Sequence, residues 1–445
     1  PVYTLPEVER PVLSGQASAS ATFLSLDVQR CLMSPAVSDT CRRASGIGSG
    51  VLLSLNRTQP LGEVVEPLAL RHHRGEFTDN LVIERYRSFG IESPQVMLAA
   101  LWCGPGNHFN TLKDGDWPGD DGNWSKWESF LKQVALTAPQ EVVFDIWNEP
   151  DGQYFWNRSR EQYFASWHVA VRVLRQWRPG AHIVGPSIST FDLDFVHDLL
   201  LQARDQNTVP DIVSWHWYSF SGREIPFHVA QVRSLILELG LQASVRGISI
   251  NEIVPAEFNF NPAVHVAYFA NLERAAVDSA MHACWPEPTE GQQCSMNIGD
   301  NCGEWSKLPS PEGVHGRSTL DGLLTCDGLQ LPRGVWWAYK AYGRLEGVLL
   351  ECNATTEIDA VVAIADNSTL LTMLISRLAG NHSGVRLHIK NLPRELVSAG
   401  NMVQLGFASI SNTGTLPLRR PQIGRSNAPS NHDTLELAFD IAVDN

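Results

Sequence analysis

Two glutamates stand at the ends of apolar runs that are typical of buried strands. Val143-Phe144-Asp145-Ile146-Trp147-Asn148-Glu149-Pro150 closes on an amide, a carboxylate and a helix-excluding proline, and Gly247-Ile248-Ser249-Ile250-Asn251 leads into Glu252. A carboxylic acid that protonates a leaving oxygen and then activates water, paired with a second carboxylate, is what retaining glycosidic chemistry requires. Glu149 suits the acid/base role and Glu252 the nucleophile. Glu257 competes for the second role, but it falls deeper in a loop after Pro255, and rigid strand ends hold catalytic geometry better than loops.

Other residue types fit the same chemistry. Asn148 is the natural donor to a sugar 2-hydroxyl. In Ser214-Trp215-His216-Trp217-Tyr218 the alternation of a strand points His216 and Tyr218 to one side, where the phenol can bond the nucleophile and the imidazole can tune the acid or contact sugar hydroxyls. Leu70-Arg71-His72-His73 is expected to bring the permanent charge of Arg71 to the nucleophile, with His73 a further candidate for binding substrate. Because adjacent strand residues face opposite ways, His72 and His73 do not both look inward, which argues against a metal pair. No metal or organic cofactor is implied. Sugar rings stack their C–H faces on aromatic rings, and of the 14 tryptophans Trp285, Trp156 and Trp102 fall on the expected rim, with Trp117, Trp124 and Trp305 as weaker candidates.

The elements that must position these residues alternate. Strand-like runs at Gln95 to Trp102, Val142 to Trp147, His182 to Ser187, Ile212 to Trp217, Gly247 to Asn251 and Met281 to Trp285 are separated by amphipathic stretches near Ser125 to Leu136, Arg160 to Trp177, Leu193 to Ala203, Pro226 to Leu239 and Pro262 to Ala280. Pro67 to His73 reads as an earlier strand and Asp79 to Phe89 as its helix. For the first strand Thr22 to Leu26 and Val51 to Leu55 compete. Repeated βα units without a Gly-rich phosphate fingerprint favour an α/β (β/α)8 TIM barrel over an open sheet. The expected barrel covers residues 16–345, closed by a helix at Arg333 to Leu345 whose aromatic stripe reads as core packing. The long irregular segment Pro286 to Leu331 is expected to serve the site. From 346 to 445 the pattern changes to strands and turns, implying an accessory all-β sandwich that the N-terminal stretch 1–15 joins.

The 445 residues carry a net charge of −14, with 43% hydrophobic and 18% charged residues. That composition supports a large core and argues against nucleic acid as a partner. No apolar stretch approaches the roughly 20 residues of a membrane span. The chain opens on Pro1 rather than Met, so removal of a targeting segment is expected. Sequons at Asn56, Asn123, Asn157, Asn353, Asn367 and Asn381 anticipate N-linked glycans. Eight cysteines, with Cys31/Cys41 and Cys294/Cys302 closely spaced, anticipate disulfides in a secreted, extracellular protein.

Trp147-Asn148-Glu149-Pro150-Asp151, the Phe155-Trp156 that follows, Arg71-x-His73 and the closing Trp337-Ala338-Tyr339-Lys340 resemble clan A of the glycoside hydrolases, and within it family 39. That family holds β-xylosidases, α-L-iduronidases and exopolysaccharide hydrolases. The resemblance implies an oligo- or polysaccharide substrate, acid/base and nucleophile glutamates ending the fourth and seventh barrel strands, and a β-sandwich. The chain departs from the family at Asn251-Glu252-Ile253, where Thr-Glu followed by an aromatic residue or Asn is usual. A transglycosidase would use the same residues, and a non-catalytic carbohydrate-binding barrel would keep the aromatics.

Overall fold

The computed structural model describes residues 22–33, 40–52, 61–75, 80–102, 116–285, 319–325, 329–379, 384–431 and 433–440. From the N-terminus these form β1 (Thr22–Cys31), β2 (Gly50–Leu52), α1 (Gly62–Val65), β3 (His72–Gly75), α2 (Asn80–Ser88), β4 (Gln95–Met97), α3 (Leu98–Leu101), α4 (Ser125–Thr137) and β5 (Val143–Asp145). There follow α5 (Arg160–Trp177), β6 (His182–Ile188), α6 (Leu193–Asp205), β7 (Ile212–Trp217), α7 (Ile225–Glu238), β8 (Gly247–Ile253), α8 (Pro262–Ala275), β9 (Ser279–His282) and α9 (Gly334–Tyr342). The remainder is all strand: β10 (Val348–Ala354), β11 (Ile358–Ile364), β12 (Leu371–Arg377), β13 (Gly384–Lys390), β14 (Val397–Ser398), β15 (Met402–Ser409), β16 (Gln422–Pro429) and β17 (Leu435–Asp440).

Strands β2 to β9 close a parallel barrel, with Val51 of β2 paired to His282 of β9. The helices have clear local causes. Ser159 caps α5 by accepting from the Gln162 N–H, Asp192 caps α6 through Phe195, and Asn261 caps α8 just ahead of Pro262 at its first position. Trp336, Tyr339 and Tyr342 of α9 are buried, so the aromatic stripe is core, as expected.

A second compact unit takes residues 1–45, 345–412 and 421–445, and the barrel unit takes 46–344 with 413–420. In the second unit β12-β11-β10-β1-β13-β17 form one sheet and β14-β15-β16 another. Their apolar faces share one core: Leu24, Leu350, Val362 and Leu387 of the larger sheet lie in the same cluster as Val403 and Ala428 of the smaller. Two sheets facing across one core make a sandwich. Cys31 and Cys41 are disulfide-bonded in this unit, whereas Cys294/Cys302 lie outside the described residues.

The structure decides between the candidates for the first barrel strand. Gly50–Leu52 supplies it, and Thr22–Cys31 belongs to the sandwich, so the barrel unit begins at Gly46 rather than at 16. Thr22–Cys31 alternates buried with more exposed positions, as a one-sided sheet requires, while Gly50, Val51 and Leu52 are all buried, as in a strand covered on both faces. The N-terminal stretch 1–15 and most of Pro286 to Leu331 lie outside the described residues.

Candidate active site

The site is built at the C-terminal ends of β3, β5, β7 and β8. Asp145, the last residue of β5, is followed by Ile146 and Trp147, both fully buried, which carry the chain out to Asn148 and Glu149. Glu149 adopts a left-handed backbone, φ 45°, a conformation costing a non-glycine residue about 1–2 kcal/mol. Backbone bonds hold it: its N–H donates to Ser187 O at 2.9 Å, and its carbonyl accepts from Gly152 N–H at 3.0 Å. The loop beyond is pinned where Ser189 donates to Asp151 through both backbone and hydroxyl.

Behind this strand end lies a mass of tryptophan. Trp147 is fully buried, donates its indole N–H to Phe155 O, and meets Trp156 edge-to-face at 5.1 Å and Trp127 at 5.6 Å. Trp117 packs on Trp156 at 5.3 Å. Such aromatic packing fixes the β5 end rigidly from behind.

Glu252 emerges from β8 directly opposite His216 of β7 in the parallel register. One imidazole faces both glutamates: His216 Nδ1 is 2.9 Å from Glu149 Oε1, and its Nε2 is 3.6 Å from Glu252 Oε1. Burial, with Arg74 adding to it against Glu252 and Asp151, pushes the imidazole down to about 4, so His216 is neutral at ordinary pH. Tyr218 donates its hydroxyl to Glu252 Oε2 at 2.7 Å. Burial and the charges of Glu252 and Glu149 hold the phenol well above its ordinary range, which keeps that proton on Tyr218.

The cation of the site is Arg74 of β3, fully buried. Its Nη1 lies 2.6 Å from Glu252 Oε1, its Nε 2.6 Å from Asp145 Oδ2, and its Nη2 donates to Asn148 Oδ1 at 2.8 Å. Burial alone would lower Arg74, but Asp145 and Glu252 overcome it and hold the guanidinium charged. Burial pushes the Asp145 carboxyl up, with Arg74 and Ser187 pulling against it. Ser187 donates to Asp145 Oδ1 at 2.8 Å, and the Asn251 amide lies 2.8 Å from the Ser187 hydroxyl. One layer deeper, Gln95 Nε2 donates to Ser249 and Ser279. The barrel interior beneath the carboxylates is therefore polar and cross-linked.

Of the residues anticipated from sequence, Glu149, Glu252, Asn148, His216 and Tyr218 come together. Arg71 does not: it is exposed and precedes β3, at the end away from the site, and Arg74 stands where it was expected. The strand begins later than the apolar pattern implied, because Glu66–Leu68 forms a 3-10 turn. His73 faces away from Arg74, as strand alternation demands, and packs at a tilt against Tyr86 of α2, ring centroids 4.3 Å apart.

Trp102 and Trp156 are likewise corrected. Leu98–Leu101 turns helical, as Leu-Ala-Ala-Leu favours, and Trp102 packs on Trp127 and Phe130 of α4. Trp156 is 3% exposed within the tryptophan cluster, and Trp117 at 8% is in the same cluster. Trp305 lies outside the described residues. Trp285 remains partly exposed beside Tyr218, ring centroids 5.2 Å apart, with its indole N–H donating to Val254 O at 2.7 Å. Val254 is itself strained at φ 70°, so Trp285 tethers the backbone just past Glu252. Glu257 is exposed in a 3-10 turn.

Sequence reasoning missed Arg74, Asp145, Ser187 and Asn251. Asp145 had a signal: a carboxylate inside Val-Phe-Asp-Ile-Trp is buried and needs a cation partner.

A parallel (β/α)8 barrel presenting two carboxylates around one imidazole at its strand ends defines the class of barrel to which the comparisons point. Residues 127–247 match the profile of Glycosyl hydrolases family 39, and it is this family that the chain resembles. A 3-O-alpha-D-galactosyl-alpha-L-arabinofuranosidase of Bifidobacterium longum subsp. longum is 26% identical over 243 residues, 48% of this chain and 18% of that protein. A beta-xylosidase of Geobacillus stearothermophilus is 25% identical over 91 residues, 20% of this chain and 18% of the relative. The chain thus matches under a fifth of the length of either. Among solved structures, N2152 of Neocallimastix frontalis superposes with a TM-score of 0.72 at 22% identity, covering 94% of this chain and 96% of that one. A monomeric beta-xylosidase of Caulobacter crescentus CB15 gives 0.57 at 15% identity, covering 94% and 97%. At these identities the superpositions establish the fold.

Proposed function

We propose that the chain is a retaining O-glycoside hydrolase acting by double displacement. The observation that carries the reading is a pair of glutamates at barrel strand ends that face one buried imidazole. Glu252 also receives the Arg74 guanidinium and the Tyr218 phenol, a set that suits a nucleophile, and the neutral imidazole of His216 lies against Glu149, which suits an acid/base. Glu252 attacks the anomeric carbon as the bond to the leaving oxygen breaks, and Glu149 gives that oxygen its proton. Water then attacks the same carbon, Glu149 takes the water's proton, and Glu252 leaves with the electron pair of the covalent bond. Arg74 holds the Asn148 carbonyl oxygen, which turns the amide to offer its N–H to a sugar 2-hydroxyl. Trp285 is the stacking platform.

The relatives' printed activities, on an arabinofuranoside and a xyloside, make pentosides the first substrates to try. The test compares wild type with E149Q and E252Q on aryl arabinofuranosides and xylosides, with proton NMR of the first-formed anomer. E149Q should lose roughly 10²–10⁴-fold on poor leaving groups, and E252Q should lose turnover on all of them. Undiminished turnover in either variant, or an inverted product, sinks the proposal.

We further propose secretion as a glycoprotein. Asn123, Asn157, Asn353 and Asn367 are exposed, which supports glycan attachment, and the Cys31–Cys41 bond fits an oxidising compartment. A mass unchanged by endoglycosidase treatment of protein from its native secreting host would argue against it.

A further inference from the structure

On the opposite side of β9 from the barrel interior, His282 meets His265 of α8 and Tyr339 of α9. The ring centroids are 4.6 Å apart for His265 and His282, 5.6 Å for His265 and Tyr339, and 6.0 Å for His282 and Tyr339. All three side chains are fully buried, and Asn259 beside them is 1% exposed. His265 Nε2 lies 3.0 Å from the Asn259 carbonyl, which only accepts, so Nε2 carries the hydrogen and Nδ1 is left as an acceptor.

That Nδ1, both nitrogens of His282, the Tyr339 hydroxyl and both amide atoms of Asn259 have no hydrogen-bond partner among the described residues. Buried polar atoms are almost always paired, and the summed cost of so many orphans would rival the net stability of a domain. Groups that both give and accept hydrogen bonds would satisfy them.

We propose that His265, His282, Tyr339 and Asn259 enclose an internal hydration site, in which ordered water molecules complete the interface of β9, α8 and α9. The donor and acceptor inventory is mixed: one lone pair on His265, a donor and an acceptor on His282, both on Tyr339, and two donors with one acceptor on Asn259. Water matches such a set, whereas an anion would leave the acceptors unmet and a cation the donors. Burial pushes His265 down to about 4 and, with His265 beside it, His282 well below its ordinary value; burial and the Asp321 carboxylate hold Tyr339 well above, so these three rings are themselves uncharged. Among the described residues no group of three or more His, Cys, Asp or Glu is arranged to hold a metal.

The sign of a melting shift in the full-length protein tests this. If water is held there, Tyr339→Phe removes one of its partners and lowers Tm by roughly 2–4 °C; His282→Leu lowers it as well. If the chamber is dry, both variants delete orphaned polar atoms and Tm stays level or rises. Should His282→Leu fail to fold, Tyr339→Phe carries the test, together with a high-resolution crystal structure. Ordered water bonded to Tyr339 Oη and His265 Nδ1 is the expected result. An empty chamber, a metal in anomalous scattering, or a Tm that drops with chelator overturns the proposal.

Discussion

Arg74 lies 2.6 Å from Glu252 while its other two donor groups engage Asp145 and Asn148. A planar guanidinium can serve three partners in fixed directions, and a lysine ammonium cannot. Arg74→Lys should therefore fold, since Asp145 keeps a cation, yet lose roughly 100-fold or more in kcat/KM. Arg74→Met strands Asp145 as a buried unpaired charge and should cost about 3–5 kcal/mol of stability. Aryl glycoside kinetics and chemical denaturation measure the two effects. A lysine variant with native kcat/KM would show that the three-way contact is dispensable.

Tyr218 contributes one hydrogen bond to a carboxylate and packs against Trp285. Tyr218→Phe keeps the ring and deletes the bond. A hydrogen bond to a charged group contributes about 1.5–3 kcal/mol, so kcat/KM should fall roughly 10- to 100-fold with Tm little changed. A loss confined to KM would assign Tyr218 to substrate binding instead.

His73 predicts a pH dependence of stability. Burial pushes its imidazole down to about 3, against about 6.5 in the unfolded chain. Above pH 6.5 both states are neutral. As the pH falls from 6.5 towards 3 only the unfolded state takes the proton, so stability is lost across that window, on the order of 4 kcal/mol from this one group. His73→Phe, which retains a ring against Tyr86, should flatten the decline in Tm over that range. An unchanged slope would mean that His73 is not neutral in the fold.

Trp156 tests the division between rim and core. Buried against Trp147 and Trp117, it is not available to stack on a sugar. Trp156→Phe should lower Tm and leave KM unchanged, whereas Trp285→Ala should raise KM. The reverse pattern would return Trp156 to the cleft.

The carboxylate pair was legible from sequence because each glutamate ends a long apolar run, and the His216/Tyr218 pair because strand alternation is strict. The second barrel strand was misjudged by a few residues, and in a period-two structure that puts Arg74 rather than Arg71 beside Glu252 and turns His73 outward. The rim tryptophans were misread for a different reason. Trp102 follows a helical turn hidden in an apolar run, and nothing in the order of residues says that Trp117, Trp127, Trp147 and Trp156 converge. The polar layer of Asp145, Ser187 and Asn251 is assembled from three strands that are distant in sequence, so only Asp145 announced it.

The place of β1 in the sandwich has a bearing on biogenesis. It lies between β10 and β13, bonded antiparallel to one and parallel to the other, and Thr22 reaches Gly384 across 362 positions of chain. At ribosomal rates of about 5–20 residues per second, this strand waits roughly 20–70 s for that partner. Throughout that interval an apolar strand with open edges is exposed while the whole barrel is synthesised, and such a segment is a natural client for a chaperone.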